Sequence, residues 1–193
     1  MKKIITFLLL ILTVPTIVLA KPTYKSLTLK EALDDEKIEY NLDGYEETDD
    51  KATIYLFRGK GCSHCYEFLE YVSSSLVKEY GDYFKLESYE VWQNTDNAKL
   101  MQEVSDYLND NASGVPYIII GDKTFNGYAE SMNEQIETAI MNLYNSEERY
   151  DVLEQMKENP KAKLKKDNKF TIVITIAAAI AIIALVVTGF KRK

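Results

Sequence analysis

The distribution of apolar and polar residues divides the 193-residue chain into three parts. Residues 4–20 and 170–190 are uncharged and almost wholly apolar, whereas the stretch between them carries the shorter patterns of a folded domain. In that stretch Thr28-Leu29-Lys30-Glu31 predicts a capping box that opens a short helix reaching Asp35. The polar run 41–51 predicts a surface connection. Thr53-Ile54-Tyr55-Leu56-Phe57 is β-branched and aromatic, as a buried strand requires, and Arg58-Gly59-Lys60-Gly61 ends it. From Tyr66 to Tyr80 the apolar residues Phe68, Leu69, Val72 and Leu76 fall at helical spacing, with Gly81 as the stop.

The pattern continues with a second strand from Tyr83 to Trp92. A second long helix follows, begun near Asn94-Thr95-Asp96 and marked by Leu100, Val104, Tyr107 and Leu108. Gly114-Val115-Pro116 leads into a third strand, Tyr117 to Ile120, and Gly121-Asp122 turns it into a fourth near 123–125. Ser131-Met132-Asn133-Glu134 predicts another capping box, opening a helix with Met132, Ile136, Ile140 and Leu143 on one face. A short amphipathic stretch runs from Ser146 to Lys157. The order implies an α/β fold with a mixed central sheet flanked by helices, its β-α-β half parallel and its final hairpin antiparallel.

The two apolar ends place this domain at a membrane. Lys2 and Lys3 followed by an apolar run ending in Val18-Leu19-Ala20 have the layout of a signal peptide, and the same segment, uncleaved, is an N-terminal anchor. The 21 residues of 170–190 would span roughly 31 Å as a helix, the thickness of a hydrocarbon core, which predicts a C-terminal transmembrane helix. The tail 191–193 is then cytoplasmic and the domain extracytoplasmic. Six lysines in 157–169 count against that orientation by the positive-inside rule. The first segment is given precedence because it usually sets topology, and long domains translocate largely regardless of charge. The resulting division is 1–20 signal or anchor, 21–50 extension with a short helix, 51–145 main domain, and 146–169 short helix with a basic stalk.

Charge narrows the partners. Residues 21–169 hold 18 basic and 30 acidic side chains, a net −12, which argues against binding nucleic acid through its phosphates. Cysteine usage points to chemistry. The two cysteines, Cys62 and Cys65, are three residues apart, and a bridge closing so short a loop is a poor structural staple. A zinc site needs four ligands, and the chain offers these two thiols and the adjacent His64.

A Cys-x-x-Cys at the point where a strand becomes a helix has a specific use. Unpaired backbone N–H groups and the helix dipole stabilise a thiolate at Cys62, and Cys65, one turn further in, is poised to resolve a mixed disulfide. His64, the only histidine, adds positive charge beside the thiolate when protonated and so favours the oxidising direction. Arg58 and Lys60 either act in the same sense or are solvated loop charges.

The strand–CxxC–helix unit, the Val-Pro before a later strand and the element order resemble the thioredoxin superfamily over roughly residues 50–145. Cys62-Ser63-His64-Cys65 is similar to the His-containing centres of protein disulfide isomerase and the bacterial disulfide-forming oxidases. The resemblance implies a thioredoxin-like fold and a cis bond at Val115-Pro116. It also implies that the backbone there pairs with an extended substrate, and that the Cys62–Cys65 disulfide works without an organic cofactor or metal. Two departures stand out. Gly61 occupies a place where the family often has an aromatic residue, and Leu56 a place where many members bury an acid, with Glu67 and Glu70 as candidate replacements.

The expected function is thiol–disulfide exchange on cysteines of secreted or surface proteins, oxidation or isomerisation being favoured, with an unidentified redox partner. Two alternatives stay open. One is a membrane-tethered reductase of surface thiols; the other is a non-catalytic module that holds extended chains during peptide export.

Overall fold

Residues 23–159 are described by the computed structural model. The segments expected to form a signal or anchor (1–20) and a transmembrane helix (170–190) lie outside them. Among the described residues no helix is long and apolar enough to cross a membrane.

The β-branched and aromatic run forms β1 (Ala52–Arg58), and the rest of the domain is built around it. In chain order, α1 (Leu29–Glu36) precedes β1. Next comes α2, an α-helix over Ser63–Tyr71 that passes through a π-helical turn at Val72–Leu76 and returns to α-helix at Val77–Tyr80. Then follow β2 (Phe84–Glu90), α3 (Thr95–Tyr107), β3 (Tyr117–Ile120) and β4 (Lys123–Asn126). The chain closes with α4 (Asn133–Tyr144) and α5 (Val152–Glu158). The sheet order is β2-β1-β3-β4; β1 and β2 are parallel, while β1/β3 and β3/β4 are antiparallel. The mixed sheet flanked by helices that the pattern predicts is therefore present.

Alternation along the strands assigns the two faces. Ile54, Leu56, Phe84, Leu86, Ile118 and Ile120 pack with buried residues of α1, α2 and α4. Tyr55, Phe57, Tyr89, Tyr117 and Ile119 pack with Leu100 and Val104 of α3 and Val152 of α5. With both faces covered, the central strands are apolar at nearly every position, so their sequences show little alternation. Arg58 continues the parity of Ile54 and Leu56 and so points to the α1 side, where a third apolar residue would otherwise fall.

The segment ahead of β1 belongs to this same core. Leu29, Ala32 and Leu33 of α1 are fully buried, and the Thr28–Glu31 capping box forms as expected. Leu27 exchanges two backbone hydrogen bonds of 2.8 Å with Ser88. The buried Asn97 side chain accepts from Lys25 N and donates to Lys25 O and Glu90 O, at 2.9–3.0 Å.

One local expectation is corrected. The capping box at Ser131 does not form: a 3-10 turn at Glu130–Met132 runs straight into α4, so Ser131 lies inside the turn and caps nothing. Gly81 ends α2 as expected, in right-handed conformation (φ −58°). A side chain there would collide with Val77 O and press on Tyr45.

Candidate functional site

The end of β1 delivers the chain to a turn in which Gly61 adopts φ +79°, a conformation that side-chain-bearing residues rarely take. A residue with a side chain would be strained at this position. Cys62 N donates to Gly59 O at 3.0 Å, closing the turn. Cys62 is then the N-cap of α2, with extended backbone angles, and its Sγ accepts from Cys65 N at 3.4 Å. Sulfur stands where serine, threonine or aspartate usually caps a helix, so the thiol faces unpaired N–H groups and the positive end of the dipole.

Both cysteines are free thiols, Cys62 half-buried and Cys65 fully buried. On the other side of Cys62, its Sγ lies 3.7 Å from Val115 O, and the Val115–Pro116 peptide bond is cis. The structure thus brings Cys62, Cys65 and Val115–Pro116 together. Burial is the main cause that pushes the Cys65 thiol well above its ordinary value. Its hydrogen bond to Cys62 adds to that, the backbone of Gly59 opposes it, and the charges of Cys62 and Glu36 raise it further.

This shift has a testable consequence for the reduced protein. The folded state keeps the Cys65 proton when the unfolded state has lost it. The stabilisation is therefore fully present below the unfolded cysteine value of about 8.5 and is lost as pH rises through the raised folded value. Stability of the reduced full-length chain should fall above about pH 8.5 more steeply than that of Cys65→Ala, read by urea titration at each pH. Parallel curves for the two proteins would contradict the burial of an ionisable thiol.

His64 is exposed, and its Nδ1 lies 3.1 Å from Glu67 Oε2, one turn along α2. The charge it gains on protonation is met by that carboxylate. Glu67 and Glu70 are both exposed and neither is the buried acid sought for Cys65; Leu56 is wholly apolar core.

The reading of Arg58 as a loop charge is corrected. Arg58 is the last residue of β1 and is completely buried. It donates through Nε to Ser88 Oγ at 2.9 Å, through Nη2 to Asp35 Oδ2 at 2.6 Å and through Nη1 to Glu36. Lys60, partly exposed, is also tied to Asp35.

Glu36, which sequence reasoning did not single out, is the buried carboxylate of the site. Its side chain is 6% exposed and also accepts from Gly61 N at 3.1 Å, so it joins Arg58 to the residue preceding Cys62. A signal for it existed. Asp34, Asp35 and Glu36 end α1 with three acids and no basic residue in the last turn, an arrangement that opposes the helix dipole and calls for cationic partners.

Searches against protein-family models, curated proteins and solved structures return no match for this chain.

Proposed function

We propose that the chain is a membrane-anchored, thioredoxin-like thiol–disulfide oxidoreductase that acts on cysteines of secreted or surface proteins. The observation that carries this reading is the Cys62 thiol capping α2, with Cys65 N on one side and Val115 O beside Pro116 on the other. A CxxC pair at a helix start, opposite a proline-headed strand, is the arrangement of the thioredoxin superfamily.

The chemistry is a pair of thiolate displacements. The Cys62 thiolate attacks one sulfur of a substrate disulfide, forming a mixed disulfide and releasing the other substrate sulfur as thiolate. Cys65, after losing its proton, attacks Cys62 Sγ, closes the Cys62–Cys65 disulfide and releases the second substrate thiolate. Run in reverse, the same steps oxidise a substrate dithiol and leave Cys62 and Cys65 reduced. The partner that restores the starting state is a thiol or disulfide carrier at the membrane.

Oxidation or isomerisation is the direction that His64 favours. Reduction is a second reading, supported by Glu67 beside His64 and by the buried Glu36 near Cys65, since both work against a stabilised thiolate. The test is turnover. The full-length chain in a glutathione buffer should speed disulfide formation or rearrangement in a reduced or scrambled protein substrate, and Cys62→Ser should return the rate to that of buffer. Activity retained by Cys62→Ser would turn the reading to a non-catalytic interaction module.

A further inference from the structure

Trp92, the only tryptophan, is the most exposed large apolar residue among those described, at 61%. A free indole on a loose loop would mean little, but this one is held. The Glu90 carboxylate accepts from Trp92 N at 2.9 Å and Gln93 N at 2.8 Å, and from Lys60 N across the gap at 3.4 Å. One side chain thus fastens the loop after β2 to the loop before Cys62. The indole packs against Gly59, where a Cβ would clash with the ring, and Gly59 O accepts the Cys62 N–H.

The other exposed large apolar residue among those described is Tyr66, at 39%, one turn beyond Cys62 on α2, with its N–H bonded to Cys62 O. One exposed aromatic therefore packs on Gly59, three residues before the half-buried Cys62, and the other stands four residues after it. Rigid, amphipathic aromatic surface of this kind is what concentrates binding energy at interfaces.

Resting on the redox reading above, we propose that Trp92 is a specificity-determining docking residue, and that its occupant is an apolar side chain adjacent to the cysteine of a polypeptide partner. The charge of the surroundings fixes the partner further. Glu70 stands one helical turn beyond Tyr66, and residues 23–159 hold 12 basic and 29 acidic side chains, a net −17. The docked segment is neutral or cationic around its cysteine, because an acidic one would be repelled.

The experiment measures rates at which the reduced full-length chain attacks disulfide-linked dimers of short peptides. In one the cysteine is flanked by leucines, in another by glycines and in a third by aspartates, each with one lysine. Bis(2-hydroxyethyl) disulfide serves as a small disulfide for the wild-type chain. The expected order is leucine, glycine, aspartate, with leucine preferred over glycine about tenfold, as a single aromatic anchor can give. Trp92→Ala should bring that ratio to about one, and Trp92→Phe should keep most of it. A leucine-to-glycine ratio unchanged by Trp92→Ala overturns the proposal, including the case in which all peptides slow equally through a structural effect. A wild-type chain inert even to bis(2-hydroxyethyl) disulfide would instead mean that the redox reading has failed and the docking role with it.

Discussion

Cys65→Ser should turn the chain into a trap that accumulates as a mixed disulfide between Cys62 and its partner proteins. Cys62 caps α2 and is half-buried; Cys65 is fully buried, with its own N–H already bonded to the Cys62 sulfur. In the proposed exchange, attack on a partner begins at Cys62, and release depends on Cys65 displacing it. With serine at position 65 the first bond still forms and the second step has no nucleophile, so complexes sensitive to reducing agent should appear on non-reducing gels. Cys62→Ser should give none, and the double variant should also give none. Trapping by Cys62→Ser through Cys65 would reverse the assignment of attacking and resolving thiols.

The second large effect concerns stability. Arg58→Met removes a fully buried guanidinium and leaves the Glu36 carboxylate, 6% exposed, without its cation. Breaking one partner out of a buried ion pair typically costs about 3–5 kcal/mol, because the other charge stays desolvated and unpaired. The midpoint of urea unfolding of the full-length chain should fall accordingly. The double variant Arg58→Met with Glu36→Gln should recover a substantial part, since an amide carries no charge and still accepts from Gly61 N. Asp35 is less affected because Lys60 also reaches it. If the double variant were no more stable than the single one, the loss would come from packing around Arg58 and not from a stranded carboxylate.

What was legible in the sequence was local. The run 53–57, the turn after it and the helical spacing beyond Tyr66 are each set by neighbouring residues, so the residue pattern alone is enough to place β1, the CxxC and α2. Asn94 as a cap and the Val115–Pro116 junction were legible for the same reason. What escaped depends on residues distant in the chain. Arg58 reads equally as a solvated loop charge because a charge after an apolar run usually meets solvent; only the α1 carboxylates, more than twenty residues earlier, make its burial tolerable. Its parity with Ile54 and Leu56, together with an acidic helix end lacking a basic residue, was the available clue.

His64 shows the opposite case. Its partner Glu67 stands at the i,i+3 spacing where side chains meet on a helix, so the pairing could have been read directly. The Ser131 motif matched a capping box by residue type, yet the chain entered α4 through a 3-10 turn and left that serine inside it. The seating of Trp92 on Gly59 joins two loops thirty-three residues apart in sequence, and nothing local announces it.

The most direct measurement is the equilibrium reduction potential of the full-length chain, titrated in glutathione buffers and read by thiol-specific mass labelling of Cys62 and Cys65. A reversible two-electron couple is expected, at about −120 to −180 mV if the site oxidises or isomerises its partners. A couple near about −270 mV would keep the exchange chemistry and make the chain a reductant. The absence of any reversible Cys62–Cys65 couple would contradict the account.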